Sequence, residues 1–157
     1  MNYCIITGSG GLIGSESVKF FSDKFNKIIG IDNDSRKKFF GKKASVKWNI
    51  DKIKTTHANY IHYDVNISNI HKLKKIFQKY KNGIKFIVHC AAQPSHDWAA
   101  KDPFLDFESN TVGTVNLLEL SRKYCPETVF IYTSTNKVYG DRPNNFSYLE
   151  KDYRYEL

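Results

Sequence analysis

No apolar run in the 157 residues reaches the length that crosses a bilayer, which excludes a membrane-spanning helix. Cysteine is sparse: Cys4, Cys90 and Cys125 are odd in number, and none stands in Cys-x-x-Cys spacing. That pattern excludes a zinc ribbon and a disulfide scaffold, offers no metal-ligand set, and fits a reducing compartment. Arginine is scarce too, with Arg36, Arg122, Arg142 and Arg154 the only four among 24 basic residues. The lysines are spread out or stand in short pairs such as Lys37-Lys38, Lys42-Lys43 and Lys74-Lys75. A net charge of +8 invites a polyanion. Without an arginine cluster, the better match is a solvated surface around a small phosphate-bearing ligand. Neither nucleic acid nor membrane is expected as a partner. Met1 precedes a strand that begins by Tyr3, leaving no room for a signal peptide, so a cytoplasmic location is expected. Internal repeats and low-complexity tracts are also missing.

What the chain does have is one domain's length, 41% hydrophobic residues, and short apolar runs alternating with amphipathic stretches. That alternation predicts β-α-β units and a parallel sheet. Strands are expected at Tyr3–Thr7, Lys27–Asp32, Tyr60–Asp64, Lys85–Cys90 and Thr128–Thr133. Helices are expected over Leu12–Lys24, Ser68–Tyr80 and Phe104–Tyr124, the second carrying Ile70, Leu73, Ile76 and Phe77 at helical spacing. Ser68 is the expected N-cap of that helix, and Asn82-Gly83 its left-handed end. The basic, aromatic stretch from Asn33 to His57 reads as an insertion with a short helix near Asn49–Lys54. After Gly140 the pattern fails in a turn and a polar, aromatic tail. The fold class is α/β, a Rossmann-type doubly wound parallel sheet, C-terminally truncated; residues 1–157 form one incomplete domain. Such a sheet is expected to leave an edge and apolar surface uncovered.

Thr7-Gly8-Ser9-Gly10-Gly11-Leu12-Ile13-Gly14 follows a strand and opens a helix. That context lets Gly8 and Gly11 bring backbone close to a pyrophosphate and lets Gly14 pack the helix on the sheet. The N–H groups of Leu12 and Ile13 would join the helix terminus that faces the phosphates. Asp32 ends the second strand eighteen residues after Gly14, where a carboxylate accepts from both ribose hydroxyls and repels a 2′-phosphate. NAD is therefore favoured over NADP, with Asn33, Ser35 and Arg36 beside it. Arg36 is the residue that could instead hold a 2′-phosphate. Asp64 and Val65 end the third strand and are candidates for the adenine edge. Ala91, Ala92 and Gln93 end the fourth, where small side chains would admit the nicotinamide ribose, and Thr133 ends the fifth.

The segments Gly8–Gly14, Ala91-Ala92, Asn110-x-x-Gly113-Thr114 and Thr133–Gly140 together resemble the NAD-dependent epimerase/dehydratase family, within the extended short-chain dehydrogenase/reductases. Longer stretches, His89–Ala100, Asp32–Arg36 with Phe39-Phe40-Gly41, and Thr133–Lys137, are similar to a subgroup acting at C2 of CDP-sugars. The resemblance implies oxidation of C2 by tightly held NAD, a transient 2-keto sugar, and return of hydride to its other face. Aligned on Val138-Tyr139-Gly140, Thr135 falls on the family's catalytic Ser/Thr, while Tyr139 belongs to a turn. Asn136 and Lys137 occupy the positions where related dehydratases carry Asp-Glu, which argues against elimination of water. His96, Asp97 and Trp98 follow the fourth strand on the side where open α/β sheets bind ligands and are candidate substrate contacts, with packing the alternative for Trp98. Ser95, Asn136 and Lys137 are further candidates, and Asn110 is a helix amide that supports the site. The family's catalytic Tyr-x-x-x-Lys is missing, since none of the ten tyrosines has a lysine four residues on. The resemblance therefore implies an N-terminal part of a sugar-nucleotide epimerase, inactive alone, from a full-length protein that forms a homo-oligomer. Another nucleotide-sugar epimerase or oxidoreductase and a non-catalytic NAD-binding module are the alternatives.

Overall fold

The computed structural model describes residues 1–135, Val138 and 140–157. Five parallel strands form one sheet: β1 (Tyr3–Thr7), β2 (Lys27–Ile31), β3 (Tyr60–Tyr63), β4 (Ile84–His89) and β5 (Val129–Tyr132). Their spatial order is β3-β2-β1-β4-β5, the first five positions of the Rossmann arrangement. Cys4 to Thr7 of β1 are all fully buried, as a central strand with both faces covered requires. Alternation sorts them: Ile5 faces α4 (Ile70–Tyr80) and α7 (Gly113–Tyr124), packing with Leu73, Phe77, Leu117 and Leu120. Cys4 and Ile6 face the other side, with Val18 of α1 (Leu12–Phe21) and Ile53 of α3 (Lys47–Thr56). The sheet is doubly wound, as expected.

Several ends differ from expectation. Asn69, not Ser68, caps α4, because its side chain accepts from the Lys72 N–H at 3.0 Å. The positive φ after α4 belongs to Lys81 (42°), not to Gly83. Gly83 is small for another reason: a Cβ there would stand 2.6 Å from the Tyr3 ring. The Asn33–His57 stretch holds α2 (Arg36–Phe40) and a full three-turn α3 rather than one short helix. A further helix, α5 (His96–Lys101), is capped by the Ser95 hydroxyl accepting from the Trp98 N–H. The segment expected as one helix from Phe104 starts as α6 (Pro103–Phe107), widens into a π-helical turn at Glu108–Val112, and continues as α7. The tail forms a small antiparallel hairpin, β6 (Leu149–Glu150) with β7 (Tyr155–Glu156). At the sheet edge, β5 leaves Val129 52%, Ile131 41% and Tyr132 55% exposed, the uncovered apolar surface that the sequence suggested.

Candidate functional site

All five strands end at the same edge, and the turn after β1 defines the site. Gly8 has φ 65°, and a Cβ there would sit 2.9 Å from the Ala91 nitrogen, so conformation and space both demand glycine. Gly14 lies in the first turn of α1, and its Cβ would fall 2.0 Å from the Gly8 oxygen. The first turn of α1 has no side-chain cap and no acidic residue. Its leading N–H groups and the positive end of its dipole are left for an anion.

Asp32 stands just past β2 and is woven into that turn. Its Oδ2 accepts the Gly10 N–H at 2.9 Å and its Oδ1 the Asp34 N–H at 2.8 Å. A carboxylate has about four acceptor positions, so both oxygens retain capacity for ribose hydroxyls. Asp34, held at φ 51°, fastens the stretch before α3 by accepting from the Val46 N–H, the Ser45 hydroxyl and the Lys37 ammonium. Burial alone would raise its pKa, but those hydrogen bonds win and hold the carboxyl below its ordinary value. From α3, Asn49 donates to the Gly10 oxygen at 2.9 Å. Beneath the turn, the Tyr60 phenol meets the Ser9 hydroxyl at 2.8 Å; burial raises its pKa to about 12, so it stays protonated.

The fourth strand is anchored by a buried relay. Thr7 and His89 are register partners on adjacent strands, so their side chains meet, Oγ1 to Nδ1, at 2.7 Å. Thr7 Oγ1 accepts the N–H groups of Cys90 and Ala91, so its own hydrogen goes to His89 Nδ1. On the far side Thr114 donates to the Asn110 oxygen at 2.6 Å, so its oxygen accepts from His89 Nε2–H at 3.0 Å. The ring is therefore the neutral Nε2–H tautomer, and burial pushes its pKa down to about 4. Asn110 continues the brace: its amide accepts the Gln93 N–H at 2.8 Å and donates to the Gln93 oxygen at 3.1 Å.

Between the glycine turn and these strand ends lies a cleft of about 290 Å³. Of the expected cofactor residues, Gly8, Gly11, Leu12, Ile13, Gly14, Asp32, Asn33, Ser35, Arg36, Ala91, Ala92 and Thr133 line it. Asp64 and Val65 stand outside the wall, Val65 packing on the core, while the next two residues, Asn66 and Ile67, take the lining position. Gln93 is buried with its amide bonded to Ser95 and Asp106, so it shapes the loop rather than the cleft. Phe39, Val46, Cys90, Pro94 and Ser109 line the cleft without having been expected. Ser109 is carried there by the π-helical turn, which no pattern in the sequence announces. The Arg36 guanidinium lies 4.9 Å over the Phe40 ring.

Among the expected substrate contacts, His96 and Asp97 are exposed on α5, and Ser95 is that helix's cap. The Trp98 indole N–H donates to the Phe39 oxygen at 2.8 Å. Thr133 bonds the His89 oxygen, and Thr135 is exposed two residues further on. Asn136, Lys137 and Tyr139 lie outside the described residues. All three cysteines are free, and burial raises the pKa of each.

An uncapped helix start, a glycine turn that side chains would block, and a strand-end carboxylate across one cleft define a dinucleotide-binding α/β unit. Residues 4–155 match the family described as NAD dependent epimerase/dehydratase, and the chain belongs to that family, whose cofactor is NAD. The chain is 34% identical over 151 residues to CDP-paratose 2-epimerase of Salmonella typhi, covering 96% of this chain and 41% of that protein. It is 28% identical to UDP-glucuronate 4-epimerase of Thermodesulfobacterium geofontis, covering 93% and 43%. Among solved structures, the UDP-Glc/GlcNAc 4-epimerase of Campylobacter jejuni superposes with TM-score 0.72 at 27% identity, covering 90% of this chain and 39% of that one. The dTDP-glucose 4,6-dehydratase of Bacillus anthracis, solved with NAD, gives 0.65 at 29%, covering 89% and 39%. The chain thus spans about two fifths of the length of these relatives.

Proposed function

We propose that this chain is the NAD-binding part of a sugar-nucleotide epimerase that inverts C2 of CDP-paratose to give CDP-tyvelose. The observation that carries the reading is the 34% identity to CDP-paratose 2-epimerase across 96% of the chain. When bound, NAD supplies reversible oxidation and reduction at a carbinol carbon that no neighbouring carbonyl acidifies. The chain's own residues bind and orient. The α1 terminus and glycine turn take the pyrophosphate, Asp32 takes the adenosine ribose, and the loop braced by Asn110 and Gln93 sets the far wall. Thr135 hydrogen-bonds the reacting sugar oxygen, and Ser95, His96 and Asp97 border the sugar side, with Asn136 and Lys137 as further substrate contacts. The base that moves the hydroxyl proton is a tyrosine paired with a lysine, which these 157 residues do not contain. The full-length protein works as a homo-oligomer.

The similarity to 4-epimerases favours one second reading, inversion at C4 of a UDP-sugar. Incubating the intact gene product with CDP-paratose and following C2 by NMR separates the two. The expected result is CDP-tyvelose without net consumption of NAD, and no conversion by residues 1–157 alone. Inversion of UDP-glucuronate with CDP-paratose untouched would replace the first reading by the second.

A further inference from the structure

Trp98 was expected to face substrate, yet its polar atom is committed elsewhere. The indole N–H reaches 59 residues back to the Phe39 oxygen at 2.8 Å. The two rings meet edge to face with centroids 5.7 Å apart, and the Lys101 ammonium sits 4.7 Å over the indole. The Phe39 carbonyl is in the last turn of α2, where a helix leaves its acceptors unpaired. No residue of α2 or of α5 is buried, so core packing fixes neither helix. The contact therefore joins two short, peripheral helices across a gap. Below it lies a second cavity of about 140 Å³, lined by Asn33, Ser35, Phe39, Asn66, Trp98 and Ser109 among others. Five of its eight lining residues, Asn33, Ser35, Phe39, Asn66 and Ser109, also line the larger cleft, so the cavities share a wall.

We propose that Trp98 and Phe39 form a latch over the adenosine end of the cleft, and that Trp98, acting through Phe39, slows the release of bound NAD. The inference rests on the reading of the cleft as an NAD site. A redox-neutral enzyme gains from such a latch, because a cofactor lost between the two half-reactions would strand an oxidised sugar. Trp98 is a positioning residue here: it holds α2, which carries Arg36 and Phe39, with Ser35 at its start, against the cofactor.

The test is stopped-flow displacement of a fluorescent etheno-NAD from the intact gene product, with melting temperature measured in parallel. Trp98→Ala removes the hydrogen bond and the ring contact and is expected to speed release about tenfold or more. Trp98→Phe keeps a ring and loses only the donor, and is expected to speed release about threefold. Melting temperature should stay at the parental value in both, since neither helix contributes to the core. Parental release rates in Trp98→Phe and Trp98→Ala, with NAD still binding the parent, would overturn the latch alone. Failure of the parent to bind NAD would overturn the cofactor reading and the latch with it. Should Trp98→Ala not fold, the stability expectation is wrong and Trp98→Phe decides the kinetic one.

Discussion

Gly14→Ala is expected to lower the melting temperature by roughly 10 °C and to remove NAD binding. The added Cβ would meet the Gly8 oxygen at 2.0 Å, the Gly8 carbonyl carbon at 2.6 Å and Ser9 Cα at 2.9 Å. All three are backbone atoms, so no rotamer change relieves the clash; either α1 retreats from the sheet or the turn opens. Overpacking of this kind costs about 3 kcal/mol. In a domain of this size each kcal/mol moves the midpoint by about 2–4 °C. Either movement also spoils the aim of the helix N-terminus at the pyrophosphate. Gly11→Ala is the control: its Cβ would approach only to 3.3 Å of the Gly8 oxygen, so the fold should survive. A Gly14→Ala protein that melts with the parent would show that the turn and helix do not pack as described.

The second large effect is on acid stability, through His89. The ring titrates near 6.5 in the unfolded chain and at about 4 when folded, with burial the cause. The neutral ring's contribution is complete above pH 6.5 and is lost as pH falls toward 4, because the unfolded chain takes up the proton first. That shift corresponds to roughly 3 kcal/mol between the two limits. Protonation would also convert the Nδ1 acceptor into a donor facing the Thr7 hydroxyl, breaking the relay in its middle. His89→Leu removes the titration but leaves the buried Thr7 hydroxyl hydrogen without its acceptor, at a cost of about 2 kcal/mol at neutral pH. Urea unfolding at pH 7.5 and 4.5 should show the variant less stable than the parent at the higher pH and less sensitive to the change. Parallel pH profiles for parent and variant would contradict this assignment.

The sequence made the scaffold legible because its signals are local. Apolar runs such as Phe86-Ile87-Val88, short and set between amphipathic stretches, read as buried strands, and a glycine turn between strand and helix has few other uses. Asp32 could be placed because strand direction fixes where a strand-end side chain must lie. What stayed hidden depends on contacts between distant segments. The role of His89 follows from its register against Thr7, which is a property of the paired strands and not of either one. Ser109 reaches the cleft through a local widening of the helix that has no composition signature. Asn66 and Ile67, not Asp64 and Val65, stand in the wall, because the path of the chain beyond β3 is set by the packing of Val65 on the core. The helix α5 is too short to show a period, and its Ser95 cap is seen only in the structure. Trp98 was read from position as a ligand contact, while its partner 59 residues earlier could be known only from the fold.

The cleft between the glycine turn and Asp32 is expected to take NAD and to reject NADP. Isothermal titration of the purified chain with each dinucleotide, repeated on Asp32→Ala, tests it most directly. The expected result is saturable binding of NAD, at least tenfold weaker binding of NADP from the carboxylate facing a 2′-phosphate, and loss of that preference in Asp32→Ala. Tighter binding of NADP than of NAD would instead make Arg36 the deciding residue, and a folded chain that binds neither would contradict the account at its base.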